Sequence, residues 1–420
     1  MVRELYDYIR QLPVIDTHEH LPAYENKRPD YDVIEEFLSS YYYVDLVNAG
    51  LSTEELSLMK GNRLSIQEKW KIIEKYWEMC RYTGYGQSLT LAARDIYGIE
   101  VICAETIEKL NEAYLVCRNE GHYRRVLKEK SNIKISILDT WGYEAVDPEY
   151  FVAANRIDRL ILPKTGKDIE ELEKVTKVTV CSFEDYLKAC EIRIQQYCDV
   201  SPILKLGSAY SRSLNFPRTL KSDAESGFNK MICSVDYGDK ERSERIYHCE
   251  ESFTNYMFRF ILGLAQEKNM IMQVHTGLQD GNGNLLANSS PIHLNEIFLE
   301  YPDMKFDLFH IGYPYQNELG TLCKMFPNVY ADMCWAHIVS PVAARRTLSE
   351  WLEVFPYNKI SGFGGDYMFI DGVYGHQHIA RKNIALVLSE KVEEGLLGMD
   401  DACKIGKSLL FDNPAEIFRL

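Results

Sequence analysis

The sequence lacks a long apolar segment and an excess of positive charge. No run of about 18 apolar residues occurs among its 420 residues, and the opening MVRELYDYIRQLPVID mixes charges of both signs, unlike a signal peptide. Its net charge of −15 offers no basic surface to nucleic acid or to anionic lipid. We therefore expect a soluble, cytoplasmic protein with no membrane and no nucleic-acid partner.

Paired cysteine motifs are also missing. The eleven cysteines are scattered, odd in number and without a CxxC pair, a pattern that indicates reduced, mostly buried thiols rather than disulfides. Hydrophobic residues make up 46% of the chain, enough for a large core. We expect one domain over residues 1–420.

Short aliphatic or β-branched runs recur along the chain, each followed by a polar turn and a helical stretch. Repeated βα units predict a parallel sheet, and eight of them predict a (β/α)₈ TIM barrel. The predicted strands are Val14–Ile15, Ile133–Leu138, Leu160–Leu162, Ile203–Leu206, Ile271–Val274, Met304–Phe309, Val329–Ala331 and Lys359–Phe363.

Two connections are long enough to carry additional structure. After the first strand, residues 24–130 show helical apolar spacing ended by glycines, which predicts a helical insertion over the barrel mouth. The connection from Gly207 to Asn269 begins with the turn-rich SAYSRSLNFPRTLKSDAESG, which we interpret as a substrate loop.

Residues typical of metal ligands follow several of the predicted strands. His18 and His20 alternate with Glu19 on the first strand, so both imidazoles point to the same side. His275, His310 and Asp366 each end a later strand, and the carboxyl ends of barrel strands meet at one mouth. Such a set predicts a divalent cation, Zn²⁺ first, with Mn²⁺ and Fe²⁺ as alternatives.

Lys205 interrupts the apolar fourth strand, where an unpaired ammonium would be costly to bury. Two interpretations remain open. One is a structural salt bridge, and the other is a carbamylated lysine that bridges two metals. The sequence favours one tightly held metal, because an ordinary ammonium repels cations.

The order HxH, Lys, His, His, Asp at successive strand ends resembles the amidohydrolase superfamily over the whole chain. The resemblance implies that His18, His20, His275 and Asp366 hold the metal, and that Lys205 bridges if the centre is binuclear. It also implies that His310 binds a second metal or polarises the substrate.

Several segments are similar to those of uronate isomerases within that superfamily. They are LPVIDTHEH, YYYVDLVNAG, YGQSLTLAARDIYGI, MIMQVHTG and SLLFDNPAEIF. Two features depart from that group. Tyr367-Met368 replaces the Ser-Arg that typically follows the strand-eight aspartate, and His310 has no counterpart there. HTG and HIGYPY look more like the hydrolase and decarboxylase branch.

Other polar and aromatic residues are candidates for contact with a substrate. Arg212 could clamp a carboxylate, with Tyr210 beside it, although a surface arginine is the alternative. Trp335 and His337 could form an aromatic wall or simply pack. His376 and His378 form a second HxH, which we interpret as part of the last helix rather than as a metal pair.

The chemistry that these residues favour is metal-dependent hydrolysis of an amide, cyclic amide or lactone in a small anionic or carbohydrate-derived substrate. Asp366 would act as general base and His310 would stabilise the oxyanion. Aldose–ketose isomerisation of a uronate is the alternative, in which Asp366 would move a proton between adjacent carbons. Decarboxylation and a non-catalytic binding protein are further alternatives. The sequence leaves open whether the protein forms a homo-oligomer.

Overall fold

The computed structural model describes residues 2–118, 121–140, 145–233 and 241–420. Its centre is an eight-stranded sheet in which sequential neighbours pair in parallel, in the order β1 to β8. The strands are Val14–Glu19, Ile133–Asp139, Phe151–Arg156, Ile203–Leu206, Ile271–Val274, Lys305–Leu308, Val329–Asp332 and Ile360–Ser361. The predicted (β/α)₈ barrel is confirmed.

Hydrogen bonds between β1 and the segment after β8 bring the two ends of the sheet together. The Thr17 amide donates to the Phe363 carbonyl at 3.2 Å, and the Asp366 amide donates to the His18 carbonyl at 2.8 Å. The Asp16 carboxylate also accepts from the Gly365 amide at 2.9 Å. Residues after β8 are thereby fixed directly beside those of β1.

Helices surround this barrel and cover its mouth. In chain order, α1 to α19 span Val2–Ile9, Val33–Phe37, Tyr42–Asn48, Thr53–Leu58, Ile66–Cys80, Gly84–Tyr97, Ile107–Cys117, Asp158–Ile161, Gly166–Thr176, Phe183–Val200, Lys221–Ile232, Glu251–Glu267, Asn295–Glu300, Gln316–Met325, Ala336–Val339, Pro341–Val354, Ile370–Glu393, Met399–Lys407 and Asn413–Phe418.

The predicted third strand is wrong. Leu160–Leu162 overlaps helix α8, and the strand is Phe151–Arg156 instead. Its sequence, FVAANR, has small alanines and two polar residues at its end, so it lacks the aliphatic run by which the other strands were found. Asn155 is tolerated in the buried strand because its side-chain amide donates to the carbonyls of Ser201 and Ile203, both at 3.2 Å.

Helices α2 to α7 lie between β1 and β2, where the helical insertion was predicted; residues 119 and 120 of that range lie outside the described residues. Ser52 and Ser65 close capping boxes at the starts of α4 and α5. Helix α6 packs closely on α17, since a Cβ on Gly375 would lie 2.1 Å from the Ser88 carbonyl oxygen. This contact joins the insertion to the helix that follows β8.

All eleven cysteines are free, as expected, but only four of them are buried, so the prediction of mostly buried thiols is wrong. The four are Cys80, Cys190, Cys323 and Cys334. Among the described residues, none of the helices combines the length and apolar character needed to cross a bilayer.

Candidate metal and active site

Three of the predicted ligand residues meet at the mouth of the barrel. The Nε2 atoms of His18 and His20 lie 3.3 Å apart. Oδ1 of Asp366 is 3.4 Å from the first and 3.2 Å from the second. These three side chains come from β1, the residue just after it and the segment after β8, which are hydrogen-bonded to one another. Their ligand atoms therefore face a common point.

A second group of donors lies on the other side of the same carboxylate. Nε2 of His310 is 3.7 Å from Oδ2 of Asp366 and 3.1 Å from Nδ1 of His275. Cys334, which the sequence analysis did not single out, has its sulfur within 4.8 Å of ligand atoms of His310 and Asp366. His275 thus lies beside His310 rather than beside the His18–His20 pair. Its role as a metal ligand stays a prediction.

The hydrogen bonds of His275 and His310 define which ring nitrogens carry protons. A carbonyl can only accept, so His275 donates from Nε2 to Leu278 at 2.9 Å, and His310 donates from Nδ1 to Cys334 at 3.0 Å. The two nitrogens that face each other at 3.1 Å then both present lone pairs. Such an arrangement is repulsive unless a proton or a cation lies with them, and the donor set fits a divalent metal ion.

The charge states of these groups also suit a metal. Burial, reinforced by the positive charge of Lys205, holds the pKa of His18 well below its ordinary value, and burial lowers the pKa of His310 to about 4. Burial alone would raise the pKa of Asp366, but the His20 hydrogen bond and nearby positive charges keep it below its usual value. Neutral imidazoles and an ionised carboxylate are the forms that bind metal.

Lys205 is buried under this cluster. Its Nζ lies 3.5 Å from the centroid of the Phe309 ring and has no hydrogen-bond partner within the described part of the chain. Burial lowers its pKa to about 8, against the opposing effect of Asp139 and Asp366. Among the described residues, Lys205 therefore does not form the structural salt bridge considered from the sequence. A carbamylated lysine stays a prediction.

A buried arginine at the mouth escaped the sequence analysis. Arg156 ends β3, and its Nε lies 3.3 Å from Asp139 and 3.5 Å from Asp158. A Cβ on Gly207 would lie 2.4 Å from its Nη2, so the glycine after β4 makes room for the guanidinium. The correct position of β3 was the missing information, because it places Arg156 at a strand end.

Tyr210 and Trp335, two of the candidates for contact with a substrate, lie against the histidines of the mouth. The Tyr210 ring centroid is 4.8 Å from that of His275, and its hydroxyl accepts from the Asp280 amide at 3.0 Å. Trp335 is fully buried with its ring 5.1 Å from that of His310. Their contact with a substrate is untested and stays a prediction.

Arg212 and His337 make contacts away from the cluster. Arg212 donates to the side chains of Thr254 and Asn255 on α12, and to the carbonyls of two loop residues. His337 hydrogen-bonds the Gly362 carbonyl at 3.0 Å and the Asn383 amide at 3.2 Å. In this conformation, both side chains hold structure together rather than face the metal-type ligands.

The second HxH lies inside α17, as expected. His376 donates from Nδ1 to the Gly365 carbonyl at 3.0 Å, and His378 is hydrogen-bonded to the Tyr6 hydroxyl at 3.2 Å. The two imidazoles therefore have separate partners.

The insertion contacts the site directly. The hydroxyl of buried Tyr41 donates to the main-chain carbonyl of Asp366, and its ring lies 4.4 Å from that of Trp335. Asn282, in the loop after β5, donates to Asn48 of the insertion at 3.0 Å. The mouth is thus covered by residues from the insertion and from the β5 loop.

Several strand ends at the mouth adopt left-handed backbone conformations that side chains other than glycine rarely take. The φ angles are 64° at His310, 50° at Ile311, 60° at Trp335 and 56° at Asp366. Strain of this kind concentrates at functional sites, where the surrounding structure holds it in place. Here it sets the direction of three residues that the sequence predicted for the site, namely His310, Trp335 and Asp366.

A parallel eight-stranded barrel with histidines and an aspartate at its strand ends defines a class of metal-dependent barrel proteins. Residues 234–420 match the family model described as Amidohydrolase. This match covers the C-terminal part of the chain, and the chain is similar to uronate isomerases along its whole length.

Three relatives illustrate the similarity. The uronate isomerase of Thermotoga petrophila is 23% identical over 99% of this chain and 96% of its own length. The crystal structure of uronate isomerase from Thermotoga maritima superposes with a TM-score of 0.81 and 19% identity, covering 99% of this chain and 97% of that one. Protein fluG of Emericella nidulans is 27% identical over 54% of this chain, but the match spans only 29% of its length.

Proposed function

We propose that this protein is a metal-dependent aldose–ketose isomerase whose substrate is a uronate, a sugar with an aldehyde at one end and a carboxylate at the other. The observation that carries the proposal is the presence, in one buried mouth, of an ionised carboxylate, Asp366, together with a buried guanidinium, Arg156. The full-length similarity to uronate isomerases supports the same reaction.

Arg156 can supply the cation that an isomerase of sugar acids requires. An isomerase of sugar acids needs a cation for the substrate carboxylate, and Tyr367-Met368 supplies none after the strand-eight aspartate. Arg156 provides a permanently charged fork from β3, with geometry suited to a carboxylate. Lys205 adds positive charge to the same region, since, in addition to burial, its charge and that of Arg156 both lower the pKa of His18.

The reaction moves one proton from C2 to C1 and another from the C2 hydroxyl to the C1 oxygen, which converts the aldose into a ketose. We assign the carbon-to-carbon transfer to Asp366, whose carboxylate is ionised and lies at the centre of the cluster. The Tyr210 hydroxyl and the His310 imidazole are the nearby groups that can hydrogen-bond the sugar oxygens.

A divalent cation would be held by His18, His20 and Asp366, with Zn²⁺ the metal that best suits neutral imidazoles and one carboxylate. Once bound, such an ion polarises a carbonyl oxygen and makes the adjacent carbon acid stronger. Trp335 and Tyr41 exclude water from the same space because both are buried above the cluster.

Hydrolysis of an amide or lactone is the second candidate, and His310 is the observation that favours it. A strand-six imidazole beside Asp366 can stabilise the oxyanion that forms when water attacks a carbonyl. The relatives that span the whole chain favour the isomerase over this hydrolase.

The test is to incubate zinc-loaded and manganese-loaded protein with D-glucuronate and D-galacturonate while following ketose formation, and with a lactone and amide panel while following acid release. Ketose formation that is lost in Asp366→Asn, and retained in the exposed control Asp303→Asn, is the expected result. Acid release without any ketose would overturn the proposal in favour of hydrolysis.

Arg156→Lys tests the carboxylate site. Because a lysine cannot reproduce the bidentate fork, we expect KM for the uronate to rise about tenfold, with a smaller change in kcat. Arg159→Lys is the matched control, since Arg159 is partly exposed on α8. Equal KM values in the two variants would remove Arg156 from the substrate site.

A further inference from the structure

We propose that Cys334 is a metal ligand, and that its thiolate, together with His310, His275 and the second oxygen of Asp366, forms a softer metal position beside that of His18 and His20. The proposal goes beyond the isomerase function, because it concerns what the mouth binds and needs no substrate to be tested.

Geometry supports the grouping. The ligand atoms of Cys334, His310 and Asp366 all lie within 4.8 Å of one another, which is close to the largest separation, about 4.6 Å, of two ligands at 2.3 Å from one zinc ion. Cys334 is fully buried and lies two residues after β7. Its amide donates to Asp332 at 2.8 Å and its carbonyl accepts from His310 at 3.0 Å, so both sides of the residue are fixed.

The Asp366 carboxylate is placed between the two positions. Oδ1 lies 3.4 and 3.2 Å from the Nε2 atoms of His18 and His20, whereas Oδ2 is 3.7 Å from that of His310. One oxygen faces each group, which is the arrangement of a bridging carboxylate. Nε2 of His310, which faces Nδ1 of His275, lies on the Oδ2 side, and this pair of nitrogens needs a proton or a cation with it.

Charge balance explains why a thiolate matters. Two cations, Lys205 and Arg156 in one buried mouth need more negative charge than the carboxylates of Asp366, Asp139 and Asp158 supply. Metal binding displaces the Cys334 thiol proton into solvent and forms a metal–sulfur bond, which adds a further anion. A thiolate also favours Zn²⁺ or Cd²⁺ over Mg²⁺ or Mn²⁺, so the proposal makes this position selective for softer metals.

The experiment is a titration of chelator-treated full-length protein with Co²⁺ and with Cd²⁺, following the near-ultraviolet thiolate-to-metal charge-transfer band and the equivalents bound. We expect the band in the wild type, its loss in Cys334→Ser, and its retention in Cys190→Ser, a control at an equally buried cysteine outside the mouth. Affinity for the second equivalent should fall at least tenfold in Cys334→Ser only.

A measurement on the unaltered protein covers the case in which Cys334→Ser does not fold. X-ray absorption of the zinc-loaded wild type should detect a sulfur neighbour at about 2.3 Å. A zinc shell of nitrogen and oxygen alone, or the same charge-transfer band in Cys334→Ser as in the wild type, would overturn the proposal. Neither result bears on ketose formation, so the isomerase proposal fails or stands separately.

Discussion

Two buried polar clusters in this protein differ in how their groups are paired. Between the insertion and α17, Asp371 is 2.6 Å from the His122 imidazole and accepts from the Tyr97 hydroxyl at 2.6 Å. At the barrel mouth, by contrast, the facing nitrogens of His275 and His310 both present lone pairs. The Asp371 carboxylate thus has two donors within the chain, although Nδ1 of the buried His122 has no hydrogen-bond partner among the described residues. The facing nitrogens at the mouth instead need a proton or a cation, which makes the mouth the better candidate for a binding site.

The pKa shifts of two carboxyl groups in the inner cluster reflect the balance between burial and charge pairing. Burial would raise the pKa of Asp371, but the charge and hydrogen bond of His122 hold it below its usual value. Glu36 lies 3.7 Å from Arg28 in the same region, and burial raises its pKa to about 7 despite that partner. We therefore expect variants of the mouth cluster to lose activity and variants of the inner cluster to lose stability.

The largest expected effect is on catalysis. Asp366→Asn should lower kcat for the uronate by about 10²–10⁴, because an amide cannot carry the proton between carbons. Steady-state ketose assays measure this, with circular dichroism and Asp303→Asn as controls for folding. Wild-type turnover in Asp366→Asn would show that the mouth carboxylate is not the base.

Asp371→Asn should instead affect stability. It leaves the buried His122 without its anion, so the free energy of unfolding should fall by about 3–5 kcal/mol, as measured by urea denaturation. Turnover per folded molecule and bound metal should stay at wild-type values. A loss of activity in Asp371→Asn as large as that in Asp366→Asn would contradict the distinction between the two clusters.

Removal of metal should lower the stability of the protein because it empties the site at the barrel mouth, and the inner cluster should play no part in this effect. A site that binds only the folded state adds about 2.7 kcal/mol when free metal is 100 times Kd, so chelation should lower the melting temperature. The same difference between metal-loaded and chelated protein should persist in Asp371→Asn and become smaller in the double variant His18→Asn, His20→Asn, which keeps the position beside Cys334. Calorimetry of the three proteins provides the comparison.

The smallest expected effect is a change in pH dependence. The folded-state pKa of Glu36, about 7, exceeds the ordinary value of 4.5, so its contribution to stability is full below pH 4.5 and is lost as pH rises through 7. Relative to the wild type, Glu36→Gln should gain on the order of 2 kcal/mol between pH 5 and pH 8. Glu112→Gln, an exposed control on α7, should show no such gain.

Much of the fold was accessible from the sequence, because seven strands are aliphatic runs followed by turns. The exception was β3, where Ala153, Ala154 and Asn155 replace the aliphatic residues and are supported by hydrogen bonds from elsewhere in the chain. Arg156 was missed for that reason alone. A pattern of apolar residues cannot reveal a strand whose stability depends on side-chain hydrogen bonds formed after folding.

For the site, ligand-type residues at strand ends could be found in advance, but their grouping could not. His275 and His18 follow equivalent strand ends, yet they belong to opposite sides of Asp366. Cys334 comes two residues after its strand, where a left-handed Trp335 turns the chain back over the mouth. These positions depend on backbone turns that the sequence does not specify.

The hydrogen bond from Tyr41 to Asp366 has a consequence for how this protein can diverge. Tyr41 binds the main-chain carbonyl of Asp366, so it holds the backbone on which any side chain at position 366 would be presented. A substitution in the insertion that moves Tyr41 would therefore also move the main chain that carries the Asp366 carboxylate. Divergence of the insertion is limited at this contact, which is one of several that join it to the barrel.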